Sequence, residues 1–125
     1  VLAEPFDACS NKLTFLNTNH LYDKILVAKR GNCMFIEKAR NAQAAGAIGL
    51  IIIDNIEDSS FSTSPMFSMS GDGKNDVEIP CVFIFGKEGK ELILNHNFEK
   101  PKDLFVFIGD NSIKRGLTGL ERALA

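Results

Sequence analysis

The sequence predicts an α/β (α+β) domain, with a mixed β-sheet of about five to seven strands flanked by two helices around one core. Three observations lead there. Runs of strand length at 22–29, 48–53 and 79–85 have continuous apolar centres, as strands buried between two layers do. A helical stretch at 33–45 separates the first two, so strand, helix and strand read as one crossover unit, expected to be right-handed. The chain has 125 residues, 45% apolar and 24% charged, which suits one globular domain with its own core.

The elements follow in order. Residues 1–6 are short and apolar and carry Pro5, as an edge strand or entry segment does. Turn residues surround Cys9, and 12–19 reads as a polar-flanked connection. Ile25, Leu26, Val27 and Ala28 centre the next strand, which Arg30, Gly31 and Asn32 break. In the helix, Phe35, Ala39, Ala42 and Gly46 fall at helical spacing, with Ile36 and Gln43 beside them. Glu37, Lys38, Arg40 and Asn41 are assigned mostly to the opposite face. Asn32 is placed to cap the start, and Gly46 to act as a left-handed stop.

Segment 54–78 differs in character. It is rich in Ser, Asp, Gly and Asn and long for a connection in a compact domain. Yet it carries Phe61, Pro65, Met66, Phe67 and Met69, more apolar side chains than a disordered linker holds. It is therefore expected to fold back on the body while offering a mobile contact surface. Pro80 opens the strand at 79–85, where a missing N–H is tolerated. A short helix at 86–95 has Leu92, Ile93 and Leu94 as its apolar content, and 103–108 reads as a last strand. The tail ends in a weakly amphipathic stretch at 117–124.

Several function classes drop out. A net charge of −2 gives no electrostatic attraction to nucleic acid or an acidic membrane. No apolar run approaches the ~20 residues of a membrane-spanning helix. The first residues lack a signal-peptide pattern and an initiator Met, so the chain reads as a segment of something longer. His20 and His96 sit in polar, turn-like surroundings, and no G-x-S-x-G elbow occurs, so no nucleophile and base come together. Residues 71–76 lack the ligand alternation of a calcium loop. The adjoining Glu57 and Asp58 read as a solvated pair. No metal or cofactor is expected. None of Cys9, Cys33 and Cys81 forms a C-x-x-C pair; their spacing permits one disulfide and a free thiol, or none.

Arg30, Gly31, Cys33, Phe35, Lys38, Ala39, Gln43, Ala45, Gly46 and Ala47 form an ordered, gapped pattern within 30–55, closed by an apolar strand ending in Asp54 and Asn55. Ile79, Pro80 and the strand behind them continue it, followed by the short helix. This resembles the signature of the protease-associated (PA) domain family over about 1–110. Residues 69–74 and 85–89 add a narrower resemblance to the PA domain appended to ER degradation-enhancing α-mannosidase-like proteins.

The resemblance implies an open β-barrel-like core at 1–110, with 111–125 a C-terminal tail or linker. It implies a protein-interaction or substrate-recruiting module without catalytic residues or cofactor, serving a larger protein of a secretory-pathway lumen, the endoplasmic reticulum first, or else extracellular or vacuolar. The partner would be a substrate polypeptide or a neighbouring domain. Alternatives are a lid or substrate-selecting insert of a secreted peptidase, or the luminal ligand-binding domain of a sorting receptor or transmembrane ubiquitin ligase. The resemblance also implies a Cys9–Cys33 disulfide, while Cys81 is expected as a buried free thiol on its strand. Phe61, Met66, Phe67, Met69 and Asp72 are the candidate contact residues on the long loop. Arg30, Gly31, Phe35 and Gly46 are expected to be structural.

Overall fold

The computed structural model describes residues 1–15, 23–95 and 106–108. Its elements are β1 (Ala3–Glu4), β2 (Thr14–Phe15), β3 (Ile25–Lys29), α1 (Phe35–Ala44), β4 (Gly49–Ile53), β5 (Cys81–Ile84) and α2 (Gly86–Asn95). β1 and β2 pair antiparallel, and β3, β4 and β5 form a parallel sheet in that order. Leu2 bridges to Val27 in parallel, so the N-terminal segment lies along the outer edge of β3. This is an α+β arrangement with mixed sheets, and no closed barrel is present among the described residues.

β4 is central, and every residue of it is buried. On one face, Leu50 and Ile52 join Leu26 and Ala28 of β3 and meet Ala39 and Ala42 of α1. On the other, Ile51 and Ile53 join Val27, Val82 and Ile84, against which Leu92 and Ile93 of α2 pack. Period-two geometry sends alternate side chains to opposite faces. Two covered faces therefore require the unbroken apolar run that the sequence displays. Each fully buried aliphatic side chain contributes about 1.5–3 kcal/mol of transfer free energy.

α1 starts at Phe35 rather than Cys33. Met34 occupies the cap position without a side-chain cap bond. Asn32 does not cap: its backbone is left-handed, at φ 67°, and its Nδ2 donates to Asp7 Oδ2 at 2.9 Å. The stop is as expected. Gly46 adopts φ 99°, and the N–H groups of Gly46 and Ala47 return to the carbonyls of Gln43 and Ala42 at 3.0 and 3.1 Å. That pair of bonds is a Schellman closure, whose left-handed residue is least strained as glycine.

One assignment on α1 is reversed. Lys38 lies three residues after Phe35 and four before Ala42, on the apolar stripe, and its side chain is fully buried. Its ammonium donates to the carbonyls of Asp7 at 2.7 Å and Gly31 at 2.6 Å. Burial pushes its pKa down, and the carboxylates of Asp7 and Glu37 oppose that. Beside it, Asn41 donates to the Ala8 carbonyl at 2.8 Å. α1 thus holds both the turn at 7–9 and the turn at 31–33, which the Cys9–Cys33 disulfide joins. Cys81 is a free thiol, half-buried rather than buried, and burial pushes its pKa up.

Two further readings shift. β2 falls inside the stretch read as a connection. Residues 106–108 carry no strand, although Val106 and Ile108 pack on the α2-side cluster. His20, His96, residues 103–105 and the stretch 117–124 lie outside the described residues.

Replacing Lys38 with methionine keeps the stem and orphans two carbonyls. Lys38→Met is expected to lower stability by about 1–3 kcal/mol for each carbonyl left unpaired. Glu37→Ala, on the exposed face, should stay within about 0.5 kcal/mol. Urea denaturation midpoints of the two variants check this.

Candidate partner-binding surface

The carboxyl ends of β3, β4 and β5 gather the residues of interest, the usual location of sites in parallel sheets. Arg30 follows β3 and Asp54 follows β4. Arg30 Nη1 donates to Asp54 Oδ1 at 3.3 Å; the Arg30 side chain is 38% exposed and that of Asp54 only 3%. The guanidinium carbon lies 5.6 Å from the Phe35 ring centroid, 5.1 Å from Phe67 and 5.9 Å from Phe83. Cation–π attraction of this kind contributes about 0.5–1 kcal/mol at partly exposed sites. The rings also meet one another: Phe67 and Phe83 at 4.6 Å, Phe83 and Phe85 at 5.5 Å, and Phe35 at 6.2 Å from both Phe67 and Phe83. Arg30 and Phe35 are both placed in this framework.

The segment joining β4 to β5 supplies the rest. Its first part is fixed to the start of α2. Ser59 Oγ accepts from the Gly86 N–H at 2.8 Å and lies 2.7 Å from both Asp54 Oδ2 and the Ile56 carbonyl. A Cβ on Gly86 would run into the carbonyls of Ile56 and Glu57, so only glycine permits this approach. Glu88 Oε1 accepts from the Phe61 N–H at 2.8 Å and the Ser60 hydroxyl at 2.9 Å. These bonds hold the Glu88 carboxyl below its usual range.

The last part is fixed to α1. Arg40 pairs with Asp76 at 2.7 Å and with Asp72 at 2.8 Å. Gln43 Nε2 donates to the Asp76 carbonyl at 2.9 Å, and its Oε1 accepts the Glu78 N–H at 2.6 Å. Hydrogen bonds from Arg40 hold the Asp72 carboxyl down at about 2 and lower that of Asp76.

Between these anchors the five candidate contact residues separate. Phe61 is 73% exposed and Met66 80%, while Phe67 sits in the aromatic cluster yet remains 42% exposed. Met69 is half-buried and packs on the α1-side core. Asp72 is engaged by Arg40. Phe61, Met66 and the outer face of Phe67, with Ile56 five residues before Phe61, are thus the large apolar groups that this segment displays. Gln43 belongs to the ordered pattern within 30–55 and Glu88 to the stretch 85–89, but sequence reading gave neither a role in holding the loop; nothing in the local patterns of Ser59 and Arg40, which also hold it, distinguishes them from solvated polar residues. Arg30 also lines a concavity of about 430 Å³, together with Phe6, Asp7, Lys29, Gly31, Asn32 and Asn55.

Among the described residues no group of three or more His, Cys, Asp or Glu side chains is placed to hold a metal ion. No helix there is long and apolar enough to cross a membrane. The arrangement is chemically a display surface: apolar side chains on a loop anchored at both ends, beside a half-exposed cation.

Comparison with known proteins follows the same lines. The model of the PA domain family matches residues 1–92. The chain is 50% identical over 93 residues to ER degradation-enhancing alpha-mannosidase-like protein 3 of Xenopus laevis and, equally, of Homo sapiens, covering 73% of this chain and 10% of each relative. It is 35% identical over 100 residues to signal peptide peptidase-like 3 of Arabidopsis thaliana, covering 77% of this chain and 17% of that protein. The chain therefore spans a small part of the length of the curated relatives it matches.

Phe67→Ala is expected to lower stability by about 0.5–1.5 kcal/mol for each aromatic pair lost. Phe61→Ala and Met66→Ala should each stay within about 0.5 kcal/mol. Thermal unfolding of the three variants separates the anchor from the displayed groups.

Acid should release the loop's second anchor. Because the folded Asp72 carboxyl sits at about 2, below its ordinary 3.8, its contribution is complete above about pH 4 and is lost as pH falls through about 2. The stability gap between the native chain and Arg40→Ala should hold steady above that window and close within it. Denaturation curves recorded from pH 5 to pH 2 measure the gap.

Proposed function

As the chain belongs to the PA domain family, we propose that it is a non-catalytic protein-interaction module of a larger protein in a secretory-pathway lumen. In this reading it presents polypeptides to a glycosidase domain elsewhere in that protein. The observation that carries the proposal is the displayed set Phe61, Met66 and Phe67 on a doubly anchored loop. Exposed methionine and aromatic side chains suit contacts with varied partners. The 50% identity to ER degradation-enhancing alpha-mannosidase-like proteins supports a lumen of the endoplasmic reticulum and a glycoprotein substrate. The disulfide agrees with an oxidising compartment. Packing of Val106 and Ile108 on the core supports a domain reaching to about 110, with 111–125 as tail or linker.

A second reading has its own support. The 35% identity to signal peptide peptidase-like 3 favours a lid or substrate-selecting role beside a peptidase. The same surface would then meet the peptidase's protein substrates.

The test uses the full-length protein carrying Phe61→Ser and Met66→Ser together. Mannose trimming of an unfolded glycoprotein should fall roughly tenfold, equivalent to about 1.4 kcal/mol of lost contact, while trimming of the free oligosaccharide stays unchanged. Equal loss on both substrates, or loss on neither, would sink the reading. Unchanged trimming combined with impaired cleavage of a protein substrate would favour the peptidase alternative.

A further inference from the structure

Lys38 has three N–H donors and only two good acceptors. The carbonyls of Asp7 and Gly31 take two, at 2.7 and 2.6 Å. The remaining neighbours are the sulfurs of Cys9 at 3.4 Å and Cys33 at 3.6 Å. A disulfide sulfur is a neutral, weak acceptor, and the side chain has no exposed surface through which water could take its place. A thiolate at the Cys9 position would be a better partner, since full Coulomb attraction to the ammonium adds to the hydrogen bond; against it stand the Asp7 and Gly31 carbonyl oxygens, each 3.5 Å from Cys9 Sγ and each already bonded to Lys38, and the Asp7 carboxylate that accepts the Cys9 N–H at 2.9 Å. The ammonium thus satisfies the oxidised state poorly and the reduced state well.

From this geometry we infer that the Cys9–Cys33 disulfide is a thiol–disulfide exchange site for a dithiol partner, in which Lys38 holds the departing Cys9 thiolate. The two sulfurs differ in surroundings. Both cysteines are half-buried, but Lys38 Nζ lies nearer Cys9 Sγ, at 3.4 Å against 3.6 Å, and Cys33 is flanked by exposed Asn32 and Met34. A partner thiolate attacks Cys33 Sγ and forms a mixed disulfide. The Cys9–Cys33 bond breaks, and its electron pair stays on Cys9 Sγ beside the Lys38 ammonium. The partner's second thiol, once deprotonated, attacks its own first sulfur and releases Cys33. The partner dithiol is oxidised to a disulfide, this chain's disulfide is reduced to two thiols, and the two protons from the partner balance the two sulfurs released. Exchange removes the covalent tie between the turn at 7–9 and the turn at 31–33 and leaves the hydrogen bonds of Lys38 and Asn32 between them. Both turns line the concavity beside Arg30, so its shape becomes dependent on redox state.

The test begins with the native chain, reduced by a phosphine under conditions where it stays folded. Site-resolved alkylation with iodoacetamide across pH reports each thiol. Cys9 should titrate at least one unit below the ordinary thiol value of about 8.5, giving roughly tenfold more thiolate at neutral pH. Cys81, whose burial raises its pKa, is the internal reference. Cleavage of the disulfide by dithiothreitol should slow by roughly threefold or more in Lys38→Met, because a less acidic thiol leaves more slowly. If Lys38→Met does not fold, Lys38→Arg keeps the charge and should retain fast cleavage, and the native titration still decides. A Cys9 titration at or above about 8.5, or a disulfide that dithiothreitol cleaves only after the chain unfolds, overturns the proposal.

Discussion

A buried ammonium is the constraint around which this domain is arranged. Charge taken out of water is costly unless it is paired and hydrogen-bonded, and Lys38 meets that requirement only through carbonyls of two different turns. The turn at 7–9 must therefore sit beside the turn at 31–33, where the disulfide can close. That in turn fixes Arg30 at the end of β3, between Asp54 and three phenyl rings. Removing the charge would loosen the N-terminal turn, the helix start and the framework of the displayed surface together.

The second organising element is a crossover made without a helix. β3 reaches β4 through α1, but β4 reaches β5 through irregular chain. Irregular backbone has few internal hydrogen bonds and needs partners for its polar groups. Ser59 and Glu88 supply them on the α2 side, and Gln43 and Arg40 on the α1 side. A polar, serine-rich sequence is thus what allows an uncoiled segment to lie against a sheet while keeping apolar side chains outward.

Much of this was legible from the chain alone, for identifiable reasons. β3, β4 and β5 stood out because burial on two faces demands continuous apolar runs, and Gly46 because its backbone hydrogen bonds need a left-handed residue. Lys38 was misplaced because its charge outweighed its position, although the spacing to Phe35 and Ala42 put it on the buried stripe. Asn32 was read as a cap from type and place, but its left-handed backbone turns it to Asp7. β2 has only two residues, too few for any periodicity. On the loop, composition marked out Phe61 and Met66 but could not divide them from Met69, whose burial depends on a core assembled from distant segments.

The double anchoring of the β4–β5 segment has an evolutionary corollary. Among the described residues, no backbone hydrogen bond restrains 65–71, while the stretches on either side are held to different helices. The register of β5 against β4 is therefore insulated from what happens in between. Lengthening a flexible loop costs little, about 0.6 kcal/mol per doubling, so this tip can gain, lose or exchange residues while Phe67 keeps its place among the rings. Selection is free to rewrite recognition there without renegotiating the fold, and a protein engineer could insert a foreign peptide beside Met66, leaving Phe67 and Met69 in their packed positions.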